Sequence, residues 1–316
     1  MKLFVAFLKL IRYPNLFFIA LTQFLFYYCI ILPEYARHPE LTHEFDWLHL
    51  VLLIAASILI AAAGYIINDY FDLNIDRVNR PERLIIEKLI KRRWAIVWHL
   101  ALSVTGIVIS FYLGWKIGNL LIGIINIVCV LMLWFYSTTF KRQLLIGNII
   151  ISLLTAWVVL VLYVAEMKFL PGRYDKEHIS LITKIYKYAV MYGGFAFIIS
   201  LIREVIKDME DMEGDEKYNC KTMPIVWGIP ASKVFVAVWL IVLIGALLVL
   251  ELYSIQLTWW WPVLYNLLLI ILPLFHILRK LFKAFTTEDF HNLSNLVKLV
   301  MLTGILSMLF FKWYLI

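Results

Sequence analysis

Nine apolar runs, each long enough to cross the ~30 Å hydrocarbon core of a bilayer as a helix, occupy most of this chain. They lie at 14–33, 48–67, 94–114, 117–136, 145–167, 187–202, 231–251, 258–277 and 294–315. In lipid, backbone N–H and C=O groups must be satisfied without water, so runs of this length fold as helices. Hydrophobic residues make up 63% of the 316 and charged residues only 16%, which excludes a soluble domain. The expected fold is an all-α integral membrane protein of nine transmembrane helices. No Gly/Ser-rich linker or long hydrophilic stretch interrupts the runs, so residues 1–316 read as a single intramembrane domain. Residues 1–14 read as a retained interfacial helix leading into the first span, because Lys9 and Arg12 interrupt a short apolar run that has no small-residue cleavage site.

Lys and Arg set the orientation. With the N-terminus cytoplasmic, 21 of the 29 basic residues fall on the inner side. The segments 68–93 and 203–230 are then both cytoplasmic loops, 165–186 is an outer loop and the C-terminus lies outside. The basic residues are scattered over short loops, so the net charge of +7 reflects topology and attraction to anionic membrane lipids, not nucleic acid. Cys29, Cys129 and Cys220 show no metal-ligand spacing and read as packing residues. Trp259, Trp260 and Trp261 at a span start read as an interfacial belt.

Two acid-rich segments end long apolar runs: Asn68-Asp69-Tyr70-Phe71-Asp72-Leu73-Asn74-Ile75-Asp76, and the stretch 203–215 with Glu204, Asp208, Asp211 and Asp215. At 100° per residue, Asn68, Asp72 and Asp76 fall within about 80° of one helix face, and the second set within about 60°. Two unit charges ~6 Å apart repel by roughly 3 kcal/mol at an effective dielectric near 20. Stripes of this kind call for a cation between them, and an all-oxygen donor set with no His or Cys selects Mg²⁺ or Ca²⁺ over zinc. A solvated turn has no reason to step an Asn and two Asp by four residues, or to be matched by a second stripe. The segments lie four spans apart, a weak internal repeat of about 140 residues that lets the stripes face each other across a central cavity. Arg77, Arg80 and Arg83 follow the first stripe, and Lys141 and Arg142 close the turn after Tyr136; such cations stabilise phosphate oxygens. Arg12, in Leu10-Ile11-Arg12-Tyr13-Pro14-Asn15, is placed to do the same, although cytoplasmic loops are basic in any case.

Together, Asn68-xxx-Asp72-xxx-Asp76, the Asp-rich segment after span six, the Tyr136-Ser137…Lys141-Arg142 turn and nine spans resemble the UbiA-type intramembrane prenyltransferases over nearly the whole chain. The resemblance implies a bundle around a central cavity with a lateral, lipid-facing opening for a prenyl tail. It also implies two Mg²⁺ ions held by Asn68, Asp72, Asp76, Asp208, Asp211 and Asp215, the five aspartates acting in catalysis by stabilising the leaving diphosphate. Arg12, Arg77, Arg80, Tyr136, Lys141, Arg142 and Lys207 become candidate diphosphate ligands. The second acidic segment, followed by Lys221-Thr222-Met223-Pro224-Ile225, is similar to the geranylgeranylglycerol-phosphate geranylgeranyltransferase branch, and Asn79-Arg80-Pro81 fits it too. Leu84 departs from that branch, which carries a second proline there.

The implied activity is Mg²⁺-dependent transfer of an isoprenyl group from its diphosphate to a lipid acceptor, with geranylgeranyl and geranylgeranylglyceryl phosphate expected, forming an ether and releasing pyrophosphate. An aromatic prenyltransferase of quinone, haem or chlorophyll-type synthesis is the alternative; it should lack extra cations for a second phosphate. A secondary transporter is a remote third reading, since transporters place coupling acids near the bilayer midplane and these acids sit at helix ends.

Overall fold

Proline marks the places where the spans leave regular α-helical geometry. The computed structural model describes residues 2–79, 81, 85–167 and 176–314. In chain order the helices are α1 (Lys2–Leu10), α2 (Tyr13–Ala36), α3 (Trp47–Asn79), α4 (Arg92–Ile117), α5 (Leu121–Thr138), α6 (Ile146–Glu166) and α7 (Lys176–Glu210), then α8 (Met212–Lys217), α9 (Met223–Val226), α10 (Gly228–Gln256), α11 (Trp260–Lys283) and α12 (Thr287–Tyr314). In α2, Pro14 sits in the first turn, where its missing N–H costs nothing, and a π turn at Tyr27–Ile31 precedes Pro33. The same device recurs in α11, with a π turn at Leu267–Ile271 just before Pro273. Proline removes the N–H that would bond the carbonyl four residues back. For Pro273 that carbonyl belongs to Leu269, and the Thr303 hydroxyl of α12 donates to it at 2.9 Å.

Among the described residues, nine helices (α2 to α7 and α10 to α12) are long and apolar enough to cross a membrane. Their outward faces are apolar and exposed, as along Leu100, Val104 and Val108 of α4 or Val234, Val238 and Ile241 of α10. Only lipid makes such a surface favourable. Buried residues form a group around Phe26, Leu53 and Leu162 of α2, α3 and α6, and another around Ile202, Leu240 and Val297 of α7, α10 and α12. A smaller one joins Leu10 of α1 to Ile66 and Leu73 of α3. The three cysteines are buried and free. Gly118 closes α4 with φ 73°, a left-handed cap that glycine adopts without penalty.

Two expected boundaries are corrected. The run at 48–67 is part of a 33-residue helix that continues through the acidic segment to Asn79, and the short run at 187–202 is part of a 35-residue helix that continues to Glu210. Helices of that length span about 50 Å and overhang the hydrocarbon. The extensions hold because their charged side chains find partners on other elements, so Asn68, Asp69, Asp72, Asp76, Glu204 and Asp208 sit on rigid helix and not on loop. The expected outer loop at 165–186 is likewise helical from Lys176, and residues 168–175 are outside the described ones.

Candidate active site

The last three turns of α3 carry Asn68, Asp69, Asp72 and Asp76. Asn68 donates through Nδ2 to Asp72 Oδ2 at 2.6 Å, and the Lys141 ammonium pairs with the same Asp72 oxygen. Lys141 lies in the short turn between α5 and α6, so an α3 carboxylate and an α5–α6 cation meet in the bundle. Asp69, about 100° around the helix from Asn68, takes the Arg12 guanidinium at 2.7 Å. Arg12 reaches it because it stands at the joint between α1 and α2 with φ 51°, a left-handed conformation that is uncommon for a residue with a Cβ. Leu145 (φ 59°) and Asn219 (φ 56°) flank the site in the same conformation. Backbone strain of roughly 1–3 kcal/mol per residue persists where surroundings impose it.

The second motif arrives from α7. Glu204 and Asp208 lie on its last turns, but the expected continuous stripe breaks at Asp211, where φ is −96° and ψ 9°, and Asp215 follows on α8. Asn79 explains the break. Its Nδ2 donates to the Asp211 carbonyl at 3.0 Å, and its Oδ1 accepts from the Gly214 N–H at 2.8 Å. One amide thus clips the bend to the end of α3. A Cβ on Gly214 would lie 2.5 Å from both polar atoms of Asn79, so the approach requires glycine. Asp208 accepts from Asn148 Nδ2 of α6 at 2.8 Å.

The electrostatics show that the two motifs face one another. Burial pushes the Asp215 carboxyl up to about 6; Lys141 opposes the rise, while Asp211 of its own motif and Asp72 and Asp76 of the other add to it. Burial acts to lower the Lys141 ammonium, but Asp72, Tyr136 and Asp215 outweigh it and hold the ammonium well above its usual range. Lys141 is therefore the positive centre on which the stripes converge.

The donor set fits a hard cation. Asn68 Oδ1 is buried without a hydrogen-bond partner, an orphan oxygen within one turn of the Asp72 carboxylate. Among the described residues, no three acidic, His or Cys side chains converge closely enough to hold an ion unaided. An ion here would complete its shell with water and phosphate oxygens, as Mg²⁺ commonly does. Further into the bundle, an apolar cavity opens between α2, α6, α7 and α12, lined among others by Phe18, Val158, Phe195 and Ile305.

The expected residues divide. Asp72, Asp76, Asp208, Asp211 and Asp215 come together with Asn68, Lys141 and Tyr136; Lys207 stands at the edge, bonded to Glu204 at 3.1 Å. Arg77 does not join them: it lies on the exposed side of α3, paired with Glu87. Arg142 is exposed, and its backbone carbonyl accepts from the Lys221 N–H at 2.8 Å. Arg80 and Arg83 lie outside the described residues. Sequence reasoning missed Asp69, Asn79 and Asn148. Asn148 left a signal, a lone amide at the start of an apolar run; the other two depend on contacts between distant segments.

The sequence pattern of the UbiA prenyltransferase family matches residues 40–308. The chain belongs to that family. It is 33% identical over 204 residues to digeranylgeranylglyceryl phosphate synthase of Methanothermobacter thermautotrophicus, a match covering 64% of each chain, slightly under two thirds of that relative's length. With the synthase of the same name from Methanosphaera stadtmanae it shares 28% over 260 residues, 81% of this chain and 86% of the other. Among solved structures, one concerned with digeranylgeranylglyceryl phosphate synthase in membranes superposes with a TM-score of 0.62 and 25% identity, covering 98% of this chain and 99% of that one. A UbiA homologue from Archaeoglobus fulgidus bound to DMAPP and Mg²⁺ shares the fold, with a TM-score of 0.55 and 15% identity over 96% of this chain and 98% of that one.

Proposed function

We propose that this protein transfers a geranylgeranyl group from its diphosphate to geranylgeranylglyceryl phosphate, forming an ether and releasing pyrophosphate. The observation that carries the transfer chemistry is the meeting of two carboxylate motifs, from α3 and from α7–α8, around Lys141 beside an apolar cavity. The acceptor follows from the names of the relatives. The likeness to a homologue that binds DMAPP and Mg²⁺ supports a metal-bound diphosphate, and six oxygen-bearing side chains in two sets support two ions.

Asn68, Asp72 and Asp76 would hold one side of the metal-diphosphate assembly, and Asp208, Asp211 and Asp215 the other. Bound Mg²⁺ supplies Lewis-acid neutralisation of the diphosphate charge. Lys141 adds a fixed ammonium at the same point, and its link to Asp72 keeps that charge in place before the donor arrives. Arg12, held by Asp69, presents a second cation beside the first motif. Preorganised charges in a site shielded from water stabilise a leaving group without reorganisation at the moment of reaction. The apolar cavity takes the isoprenoid tail and keeps water away from C1, where the acceptor hydroxyl oxygen bonds as the C1–O bond to diphosphate breaks and its proton passes to the departing pyrophosphate. The whole chain acts as one intramembrane domain with these motifs on the cytoplasmic side, as the distribution of basic residues indicates.

The test is mass spectrometry of products formed by purified protein from geranylgeranyl diphosphate and a panel of glycerophospholipid and aromatic acceptors. A digeranylgeranylglyceryl phosphate product that disappears with EDTA is expected. A prenylated aromatic ring as the sole product, or full activity in EDTA, overturns the reading.

A further inference from the structure

The apolar cavity has a polar cap that the diphosphate site does not use. Three of the helices around it each place a polar residue about one turn from residues lining it, on the same face. On α2 these are Asn15, then Phe18 and Thr22; on α12, Lys298, then Met301 and Ile305; on α7, Arg203 follows Ile199. Spacings of three, four and seven residues keep one face of a helix. α2 and α12 begin at the carboxylate end and α7 finishes there, so Asn15, Lys298 and Arg203 gather at one mouth of the cavity. Lys298 Nζ donates to Asn15 Oδ1 at 3.0 Å, and its ammonium lies 5.4 Å from the centre of the Phe18 ring. Arg203 is the charged group that acts on Lys298.

The charge there does not balance. Glu204 serves two cations, Arg203 at 3.2 Å and Lys207 at 3.1 Å. The hydrogen-bond partner of Lys298 is a neutral amide, and Arg203 Nε is buried with no partner. Two cations near each other, one bonded to an amide and the other carrying an unused buried donor, form a receptor lacking its anion. Burying an unsatisfied donor or an unpaired charge is costly, so such groups are kept where a ligand supplies the partner. Arg12, by contrast, is already matched by Asp69.

We infer that Arg203 and Lys298, with Asn15 orienting the lysine, bind the phosphomonoester of the acceptor lipid at the mouth of the cavity. This assignment rests on the proposed function and adds to it a second phosphate site, separate from the donor diphosphate. Its position suits the reaction. Tyr65 of α3 faces the Arg12 guanidinium at 5.1 Å and lies within the field of Arg203, while Asp69 and Asp72 follow one and two turns along the same helix. A glycerol hydroxyl next to a phosphate held at Arg203 and Lys298 is thereby directed toward the donor's C1.

Two measurements on purified protein in detergent, made on wild type, Lys298→Gln, Lys298→Arg and the Arg203→Gln/Lys298→Gln pair, test the assignment. In the first, geranylgeranylglyceryl phosphate is titrated without donor or metal. Wild type and Lys298→Arg should bind it, and the paired variant should bind at least tenfold more weakly and no better than it binds geranylgeranylglycerol, which lacks the phosphate. Equal binding by wild type and the pair, or no binding by wild type, overturns the site. In the second, steady-state kinetics should show Lys298→Gln raising the acceptor KM about tenfold with the donor KM and Mg²⁺ dependence unchanged. A rise confined to the donor KM assigns these cations to the diphosphate and overturns the inference. Phosphate-dependent binding by wild type without turnover, under conditions where another acceptor is prenylated, overturns the proposed function and leaves the phosphate site standing.

Discussion

At Asp72 an amide, an ammonium and burial meet on one carboxylate: Asn68 and Lys141 both bond Oδ2, and the residue is 4% exposed. Replacing it by Asn removes the charge at nearly constant volume. If that charge holds metal against the leaving diphosphate, turnover should fall about a hundredfold, equivalent to ~3 kcal/mol of transition-state stabilisation. Asp211→Asn should behave alike, with pyrophosphate release measured per folded protein; wild-type rates in both would remove the carboxylates from the chemistry. Arg77→Gln provides the contrast. Its guanidinium is on the exposed side of α3 with Glu87, where an ion pair contributes at most about 1 kcal/mol, so turnover should stay within twofold of wild type. The four-residue step of Asn68, Asp72 and Asp76 was legible because a helix repeats it on one face. Asp69 was not, because the stripe passes it by and its partner Arg12 is 57 residues away.

Between elements, the contact that decides geometry is Asn79 on the α7–α8 bend. Gly214→Ala sets a methyl against the Asn79 amide, so activity should drop at least tenfold. In an Asn79→Ala background the obstacle is gone, and adding Gly214→Ala should cost little further. Additive losses in that double-mutant cycle would show that the two residues act independently. Thr303→Val tests a second join: it strands the Leu269 carbonyl that Pro273 leaves without a helical donor. Interhelical hydrogen bonds in membranes contribute about 0.6 kcal/mol on average and up to ~1.7, so thermal unfolding in detergent should shift down modestly with the product profile unchanged. The span count was legible from apolar run length, since lipid thickness fixes it. The overhang of α3 and α7 was not, because hydropathy falls at the lipid boundary whether the chain turns into a loop or continues as helix.

For the molecule as a whole, the sidedness of the site is the open quantity that one measurement settles. Single cysteines introduced at the exposed positions Lys88 and Asn219, in a background lacking the three native ones, should be labelled from the cytoplasmic face by a membrane-impermeant maleimide. A cysteine at Glu177, at the start of α7, should be labelled only from the opposite face. Lys88 and Asn219 on different faces would separate the motifs that the structure joins.

The order of synthesis gives the pairing of these charges a further meaning. Asp69 and Asp72 are neutralised by Arg12 and Lys141, and Asp208 accepts a hydrogen bond from the amide of Asn148. Every one of these partners lies in the first 148 residues. A nascent chain that has delivered α1 through α6 to the bilayer already carries counter-charges for its own acids and a docking amide for the next one. Helix α7 then enters a half-built site prepared to receive it, and none of these three carboxylates has to wait for a partner still inside the ribosome.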